Sequence, residues 1–507
     1  MKDLLPDITN QLNDVLRGLR FFVPELYLTA LFVIVLVTDL LFGKRSAALC
    51  RAVSIGGMFI VIVQVLSQKT SLHANETARF FSDMLLLHGP GIVFKLIIDV
   101  LAFILLIYFA WDNKLKEHKK GLSDLYSIVI GSVLGLHLMV MAVNLLSIYL
   151  AIEMVSIASY LLAAYHTGNA KSSEAGLKYV LFGAASSAIM LYGISLIYAF
   201  SGSLDIFSRE MQEGLLQTNH MSVTFGMMLI LLGIGFKLSL VPAHFYVPDV
   251  YEGAATPVTA YLSTLPKIAA FALLVNFITP FISSSGMYIN WTGLNFRMLL
   301  SAVGIVTMVV GNFAAVWQNS VKRMLAYSGI AHTGFALMAV VTFSGEGLTA
   351  LSYYLLVYGL ANIAALMLAS YFENNEGITS MSDYKGLGFK YPLASVCFVV
   401  VLISLTGIPI SAGFTGKVFV FSAVYGVYQQ THDVWLMALL ITGAVTTVVG
   451  LFYYIRIPLN LFLKRTEIIK NEVFSSGNLL IFSSIIALLL IIFGIFPDLL
   501  IKLLQSS

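Results

Sequence analysis

Residues 145–165 read LLSIYLAIEMVSIASYLLAAY, twenty-one positions with a single formal charge, Glu153, near the middle. A run of about 20 apolar residues is what an α-helix needs to cross ~30 Å of hydrocarbon. Glu153 is too far from either end for snorkelling or a small helix shift to free it. A charge at the bilayer centre costs roughly 2.5–3.5 kcal/mol on insertion scales, so Glu153 calls for a cationic partner or water.

The composition agrees with that reading. Of 507 residues 59% are hydrophobic and 11% charged, against about 25% charged in soluble domains. The expected fold class is all-α, a polytopic membrane protein of about 14 transmembrane helices. Spans are expected near 22–42, 52–68, 90–110, 124–142, 144–165, 176–200, 222–247, 257–281, 297–317, 324–343, 348–372, 392–428, 434–460 and 477–502. The first twenty residues do not read as a secretory signal, because Asp3, Asp7 and Asp14 interrupt them. Leu5, Ile8, Leu12, Val15, Leu16 and Leu19 recur at helical spacing there, which predicts a short interfacial helix. The net charge of +3 gives no ground for a nucleic-acid surface. Two cysteines, Cys50 and Cys397, cannot ligate an iron–sulfur cluster, which needs four ligands.

Two spans read as broken. The seventh carries Pro242 and Pro248, and the twelfth carries Gly407, Pro409 and Gly413. Interrupted helices at matching places in two halves point to a transport site. The expected organisation is therefore two inverted five-helix repeats with broken helices 7 and 12. Residues 1–122 hold the interfacial helix and spans 1–3, 123–281 the first repeat, 297–460 the second, and 461–507 the last span.

Of the 29 lysines and arginines, sixteen fall in connections after odd-numbered spans and eight in the opposite connections and tails. The excess marks the cytoplasmic side, so both termini are expected on the non-cytoplasmic side of a bacterial plasma (inner) membrane. Five lysines remain in or at the edges of spans: Lys95, Lys178, Lys237, Lys267 and Lys417.

Lys237 precedes the break in GFKLSLVPAHFYVPDVY, where freed carbonyls are tolerated beside protein or a water-filled cavity. It is the expected partner of Glu153. Lys267 follows Pro266 one span later, and Lys417 follows the second break in SLTGIPISAGFTGKVFVF. These four are the candidate proton-transfer residues. His244, His332 and Lys178 are candidates for secondary relay, each against a plainer reading: the histidines as satisfied bundle residues, and Lys178 as an i,i+4 pair with Glu174. Lys95 is expected to snorkel, with Asp99 as its partner and a structural role. Gly131 and Gly135 form a GxxxG expected to let helices pack closely. GFTGKV lacks the Ser/Thr after its lysine and the preceding strand of a phosphate loop.

These residue types suit proton transfer. A lysine in water keeps its proton, with a pKa of about 10.4, whereas burial can lower that by up to ~3–5 units. A glutamate about 7 Å away at an effective dielectric near 20 contributes roughly 2.4 kcal/mol, so moving or neutralising it switches the lysine. One charge crossing 100 mV costs about 2.3 kcal/mol. Arginine never releases its proton and could not serve.

AIEMVSIASYLL with Glu153, GFKLSLVPAHFYVPDVYEGA with Lys237, LPKIAAF with Lys267 and SLTGIPISAGFTGK with Lys417 together resemble the antiporter-like subunits of complex I and related multisubunit cation/proton antiporters. The resemblance covers nearly the whole chain. It implies proton transfer by the fifth-helix glutamate, seventh- and eighth-helix lysines and a twelfth-helix lysine, here Glu153, Lys237, Lys267 and Lys417. A lysine in the twelfth helix is similar to subunits N and L and unlike M, and the chain is too short for the lateral helix of L, so it looks like subunit N of an NADH-quinone oxidoreductase. That resemblance implies no cofactor in this chain, with flavin, iron–sulfur clusters and quinone in partner subunits. The implied partners are the other membrane and peripheral subunits, lipid and protons, and the implied activity is that of a translocase subunit without a redox centre. The competing readings are a sodium/proton antiporter or membrane-bound hydrogenase subunit, which shares every buried charge, and a scaffold in which the charges only lock helices together.

Overall fold

The computed structural model of the chain describes residues 5–42, 46–71, 77–116, 121–166, 168–282, 294–464 and 477–504. Of the residues counted for sidedness, Lys2, Lys44, Arg45, Lys119, Lys120, Arg465 and Lys470 lie outside these.

Helix α1 (Leu5–Gly18) precedes the first two crossings, α2 (Val23–Phe42) and α3 (Ser46–Ser71). A hairpin of β1 (Ala78–Phe80) and β2 (Leu85–Leu87) pairs antiparallel with Arg79 opposite Leu86. Next come α4 (Gly89–Tyr108), the single turn α5 (Asn113–Lys116), α6 (Ser123–Met141), α7 (Leu145–Ala163) and the long α8 (Ala170–Ser201). After α9 (Arg209–Gln217), α10 (His220–Leu238) is continued across a break by α11 (Val247–Gly253). The chain proceeds through α12 (Thr256–Ile282), α13 (Phe296–Val316), α14 (Val321–Val340) and α15 (Gly345–Glu376). The turn α16 (Leu387–Lys390) leads into a second broken pair, α17 (Pro392–Thr406) and α18 (Ala412–Thr431). Helices α19 (Val434–Tyr454), α20 (Arg456–Phe462), α21 (Gly477–Ile495) and α22 (Asp498–Leu504) complete the described chain.

Among the described residues, 12 helices are long and apolar enough to cross a membrane. Adding α14, 20 residues long but polar at Ser328, His332 and Thr333, and the broken pair α17–α18 gives the fourteen crossings read from the sequence. Some boundaries move. Helix α3 starts at Ser46 and takes in Arg51, because a helix can begin before its apolar run where the first turn lies at the membrane edge. Helix α10 stops at Leu238, well short of position 247, and the cause lies in the site described below. On α1, Leu12, Val15 and Leu16 are exposed, the apolar row an interfacial helix presents.

Helices α6, α7, α8, α10–α11 and α12 form one five-span set, and α13, α14, α15, α17–α18 and α19 form a second. In both, the third member has 32 residues and the fourth is broken. Five crossings are an odd number, so the second set enters from the opposite face, which makes the two repeats inverted.

Helix α15 is buried along its length, and α4 and α12 nearly so, whereas α2, α3, α19 and α21 turn large apolar side chains outward. The two glycines of the GxxxG meet different neighbours. A Cβ on Gly131 would lie 3.3 Å from the Phe32 ring, and one on Gly135 would lie 3.0 Å from Val155. They admit α2 on one side and α7 on the other. Cys50 and Cys397 are buried and free.

Candidate functional site

Helix α10 ends because Ser239 adopts a left-handed conformation (φ 62°) and its N–H turns back to the carbonyls of Gly235 and Phe236. The Tyr246 hydroxyl donates to the Phe236 carbonyl at 2.9 Å, satisfying one of the acceptors that a helix end leaves free. Lys237 sits in this last turn, 4% exposed. Its Nζ lies 5.7 Å from the Tyr160 ring centre and 5.8 Å from that of Tyr179, within reach of the ring quadrupoles. Tyr179 stacks on Tyr246 at 4.9 Å, so the wall around the amine is itself ordered.

Glu153 makes no direct ion pair with Lys237, although its charge acts on the amine through space. Both Lys237 Nζ and Glu153 Oε1 are buried without a protein hydrogen-bond partner. Buried donors and acceptors are normally satisfied, so an amine donor and a carboxylate acceptor both left without a protein partner set this region apart from ordinary packing.

Lys267, on α12 and 2% exposed, donates to the Gly329 carbonyl at 3.1 Å and to the Thr333 hydroxyl at 3.3 Å. Both acceptors belong to α14, so this amine joins the two repeats. A Cβ on Gly329 would lie 2.9 Å from the Tyr358 hydroxyl and 3.5 Å from Lys267 Nζ, which is why the approach needs a glycine. On the same helix His332 is held at both ring nitrogens, Nδ1 at 2.7 Å from the Tyr354 hydroxyl and Nε2 at 3.2 Å from that of Tyr454. A hydroxyl can donate or accept, so either neutral tautomer is satisfied. The ring can take a proton on one side and give one up on the other. It lies within electrostatic reach of both Lys267 and Lys417.

Helix α17 ends at Gly407 (φ 83°), whose N–H returns to Ile403 and Ser404 carbonyls at 3.0 and 3.1 Å. Helix α18 then starts with the Ser411 hydroxyl accepting from the Phe414 N–H. Lys417 reaches back across the break, and its Nζ donates to the Thr406 carbonyl at 2.7 Å. A cation at the carbonyl end of a helix also meets the negative end of its dipole. The Phe335 ring covers the same amine at 4.7 Å. Beside it a groove of about 740 Å³, lined in part by Gly407, Phe414, Lys417 and Ile441, opens on the flank of the molecule.

Two of the secondary candidates sit apart from this row. His244 does not share a helical face with Lys237, because the chain between Ser239 and Tyr246 is not helical. It is nevertheless buried, with Nδ1 unpartnered, in the break itself. Lys178 is 37% exposed and pairs with both Glu174 at 2.8 Å and Asp249 at 2.7 Å. Asp249 in turn accepts from Arg323 at 2.7 Å, and Arg323 reaches Glu252 at 3.0 Å. This network ties α8, α11 and α14 together.

Sequence reasoning missed the hydroxyls of Tyr354 and Tyr454, since aromatic residues in spans ordinarily read as packing. It also misplaced Lys95. That residue is fully buried rather than snorkelling, and its carboxylate partner is Glu25 at 2.7 Å, not Asp99. Glu25 opens the first span, where a charge at the membrane edge is unremarkable in sequence, and only the ion pair that joins α2 to α4 reveals its role.

The family described as NADH:quinone oxidoreductase/Mrp antiporter, TM, matches residues 142–449, a segment that holds Glu153, Lys237, Lys267, His332 and Lys417. The chain is 38% identical over 492 residues to NADH-quinone oxidoreductase subunit N 2 of Chloroherpeton thalassium (strain ATCC 35110 / GB-78), covering 97% of this chain and 94% of the relative. It is 36% identical over 482 residues to NADH-quinone oxidoreductase subunit N of Chlorobium chlorochromatii (strain CaD3), covering 94% and 92%. A chain of respiratory complex I from Thermus thermophilus, solved with bound aureothin, superposes with a TM-score of 0.77 at 27% identity, over 96% of this chain and all of that one. With its two broken spans and its buried lysines inside the matched segment, this chain belongs to the NADH:quinone oxidoreductase/Mrp antiporter transmembrane family, in its subunit N branch.

Proposed function

We propose that the chain translocates protons as subunit N of a respiratory NADH:quinone oxidoreductase, using Glu153, Lys237, Lys267 and Lys417 as the transfer groups and His332 as the relay between the last two. The observation that carries this reading is the row of three buried amines, each at or beside an interrupted helix or a helix carbonyl, with a doubly held histidine between Lys267 and Lys417. A charge inside a bilayer costs roughly 2.5–3.5 kcal/mol, and three amines without a carboxylate in direct contact make a poor structural lock. They make a good proton path, because each exchanges one proton and holds it by hydrogen bonds to carbonyls and hydroxyls or beside aromatic faces. His244 and Lys178 flank the path as secondary groups. Electron transfer belongs to partner subunits that carry flavin, iron–sulfur clusters and quinone, so this subunit contributes translocation rather than redox chemistry. Residues 1–122, 123–281, 297–460 and 461–507 are the working divisions, and both termini face away from the cytoplasm of the bacterial plasma membrane.

The test is Lys237→Met in the assembled complex, reconstituted in sealed vesicles. Quinone reduction by NADH is expected to persist within about threefold while acidification per quinone reduced drops. A complex that fails to assemble with Lys237→Met, or that acidifies normally, would favour the scaffold reading instead.

A further inference from the structure

Outside the family-matched segment, four ionisable side chains from three helices meet in the interior. Glu25 stands in the first turn of α2, Lys95 and Asp99 one turn apart on α4, and His137 near the end of α6. All four are 0% exposed. Lys95 Nζ lies 2.7 Å from Glu25 Oε1 and donates to Gln68 Oε1 of α3 at 3.1 Å. His137 is held from both sides, Nδ1 at 2.8 Å from Glu25 Oε1 and Nε2 at 2.8 Å from Asp99 Oδ1.

Counting hydrogens decides what this cluster contains. A neutral imidazole has one N–H and one lone pair. With both ring nitrogens against carboxylate oxygens, a neutral ring between two ionised carboxylates would press a lone pair against an anion. One more proton must be present, either on His137, which then donates to both sides, or on one carboxyl group, which then donates to the ring. The charge count agrees. Lys95, Glu25 and Asp99 sum to −1 with a neutral histidine and to zero with the extra proton, and an isolated buried charge is strongly disfavoured. The proton is therefore shared along Glu25, His137 and Asp99. The remaining oxygens, Glu25 Oε2 and Asp99 Oδ2, are buried with no protein partner, which leaves two acceptors directed at water.

The position is also informative. Glu25 lies at the start of α2, Gln68 near the end of α3, Lys95 near the start of α4 and His137 near the end of α6. These ends lie together, at the face assigned above to the non-cytoplasmic side. His88, whose Nδ1 is buried and unpartnered, precedes α4 by one residue and falls seven positions before Lys95, on the same helical face. A Cβ on Gly91 would lie 3.1 Å from its ring, so the imidazole sits over the first turn of α4, directly after the hairpin. On α12, Asn276 donates to the Val140 carbonyl of α6 at 2.8 Å and carries no charge. Lys69 of α3 is directed elsewhere, to the Leu503 carbonyl.

We propose that Glu25, Lys95, Asp99 and His137 form a second proton-holding site, which stores one proton within the first four spans and releases it to water at the non-cytoplasmic face past His88. The inference rests on the proton-translocating reading above and adds a station that the lysine row does not contain. The step is a proton transfer alone: a proton arriving at the cluster is balanced by one leaving to outer-face water.

Two near-isosteric variants test it in the whole reconstituted complex. In Asp99→Asn the carboxamide donates to Nε2 while Nδ1–H donates to Glu25, and in Glu25→Gln the roles reverse. Each variant leaves the four side chains with no net charge and without the extra proton. Asp99→Asn keeps every hydrogen bond, whereas Glu25→Gln trades the contact with Lys95 for the one with His137, because a single Glu25 oxygen serves both, and Lys95 keeps its bond to Gln68. Both are expected to assemble, to reduce quinone within about twofold of the unmodified complex, and to acidify per quinone as poorly as Lys237→Met. Normal acidification in Asp99→Asn and Glu25→Gln, with Lys237→Met impaired, would overturn this site while leaving the proposed function standing. Normal acidification in all three would remove both. Failure of both carboxamide variants to assemble would show a purely structural ion cluster and also overturn the proposal.

Discussion

Each buried amine of the row is held differently, and the difference fits a sequence of stations. Lys237 has aromatic rings and no hydrogen-bond partner, Lys267 has a carbonyl and a hydroxyl, and Lys417 has the carbonyl end of a broken helix. Gly407 shows how closely the last of these depends on its surroundings. It combines φ 83° with a position where a Cβ would lie 2.7 Å from Lys417 Cδ. Gly407→Ala is expected to cost about 2 kcal/mol, from left-handed backbone strain and displacement of the lysine. The thermal midpoint should fall and acidification should weaken. An unchanged midpoint with unchanged acidification would mean that the break tolerates a side chain and that Lys417 need not reach Thr406.

At the level of helices, a buried charge is legible in sequence where a single residue contradicts its own segment. A carboxylate or amine inside an apolar run announces itself, so Glu153, Lys237, Lys267 and Lys417 could be singled out without tertiary information. Prolines and glycines likewise announced that spans 7 and 12 are interrupted. Where each break begins was less legible. Pro242 marks a break, yet α10 already ends at Leu238, because Ser239 takes a left-handed cap and Tyr246 donates to the Phe236 carbonyl. Of the Glu25 cluster only Lys95 and Asp99, one turn apart on α4, were legible. Glu25 and Lys95 each sit near the edge of a span, where a charge is ordinary, and His137 looks like a lone histidine on a packed helix. What makes them a site is the meeting of α2, α4 and α6, which no single segment encodes.

For the whole molecule, the inverted pairing of two five-helix sets places Lys237 and Lys417 at the two breaks and Lys267 on the helix that faces α14. The Lys267–Gly329 contact joins the first repeat to the second, and the proposed proton path crosses between them there. The three N-terminal spans share with α6 a buried cluster at the opposite end from Lys322 and Lys390. Sidedness is open to a direct check. Single cysteines at Glu213, in α9, and at Ser382, between α15 and α16, are expected to react with a membrane-impermeant thiol reagent from the non-cytoplasmic and the cytoplasmic face respectively. The reverse pattern would invert the direction assigned to the Glu25 cluster.

In the proposed function the buried lysines work by giving up protons rather than by carrying charge alone. Lys237→Arg separates these, because arginine keeps the positive charge beside the Tyr160 and Tyr179 rings but does not release its proton. The decisive measurement is acidification per quinone reduced by the assembled Lys237→Arg complex in sealed vesicles. A fall to the level of Lys237→Met is predicted. Acidification equal to that of the unmodified complex would contradict the claim.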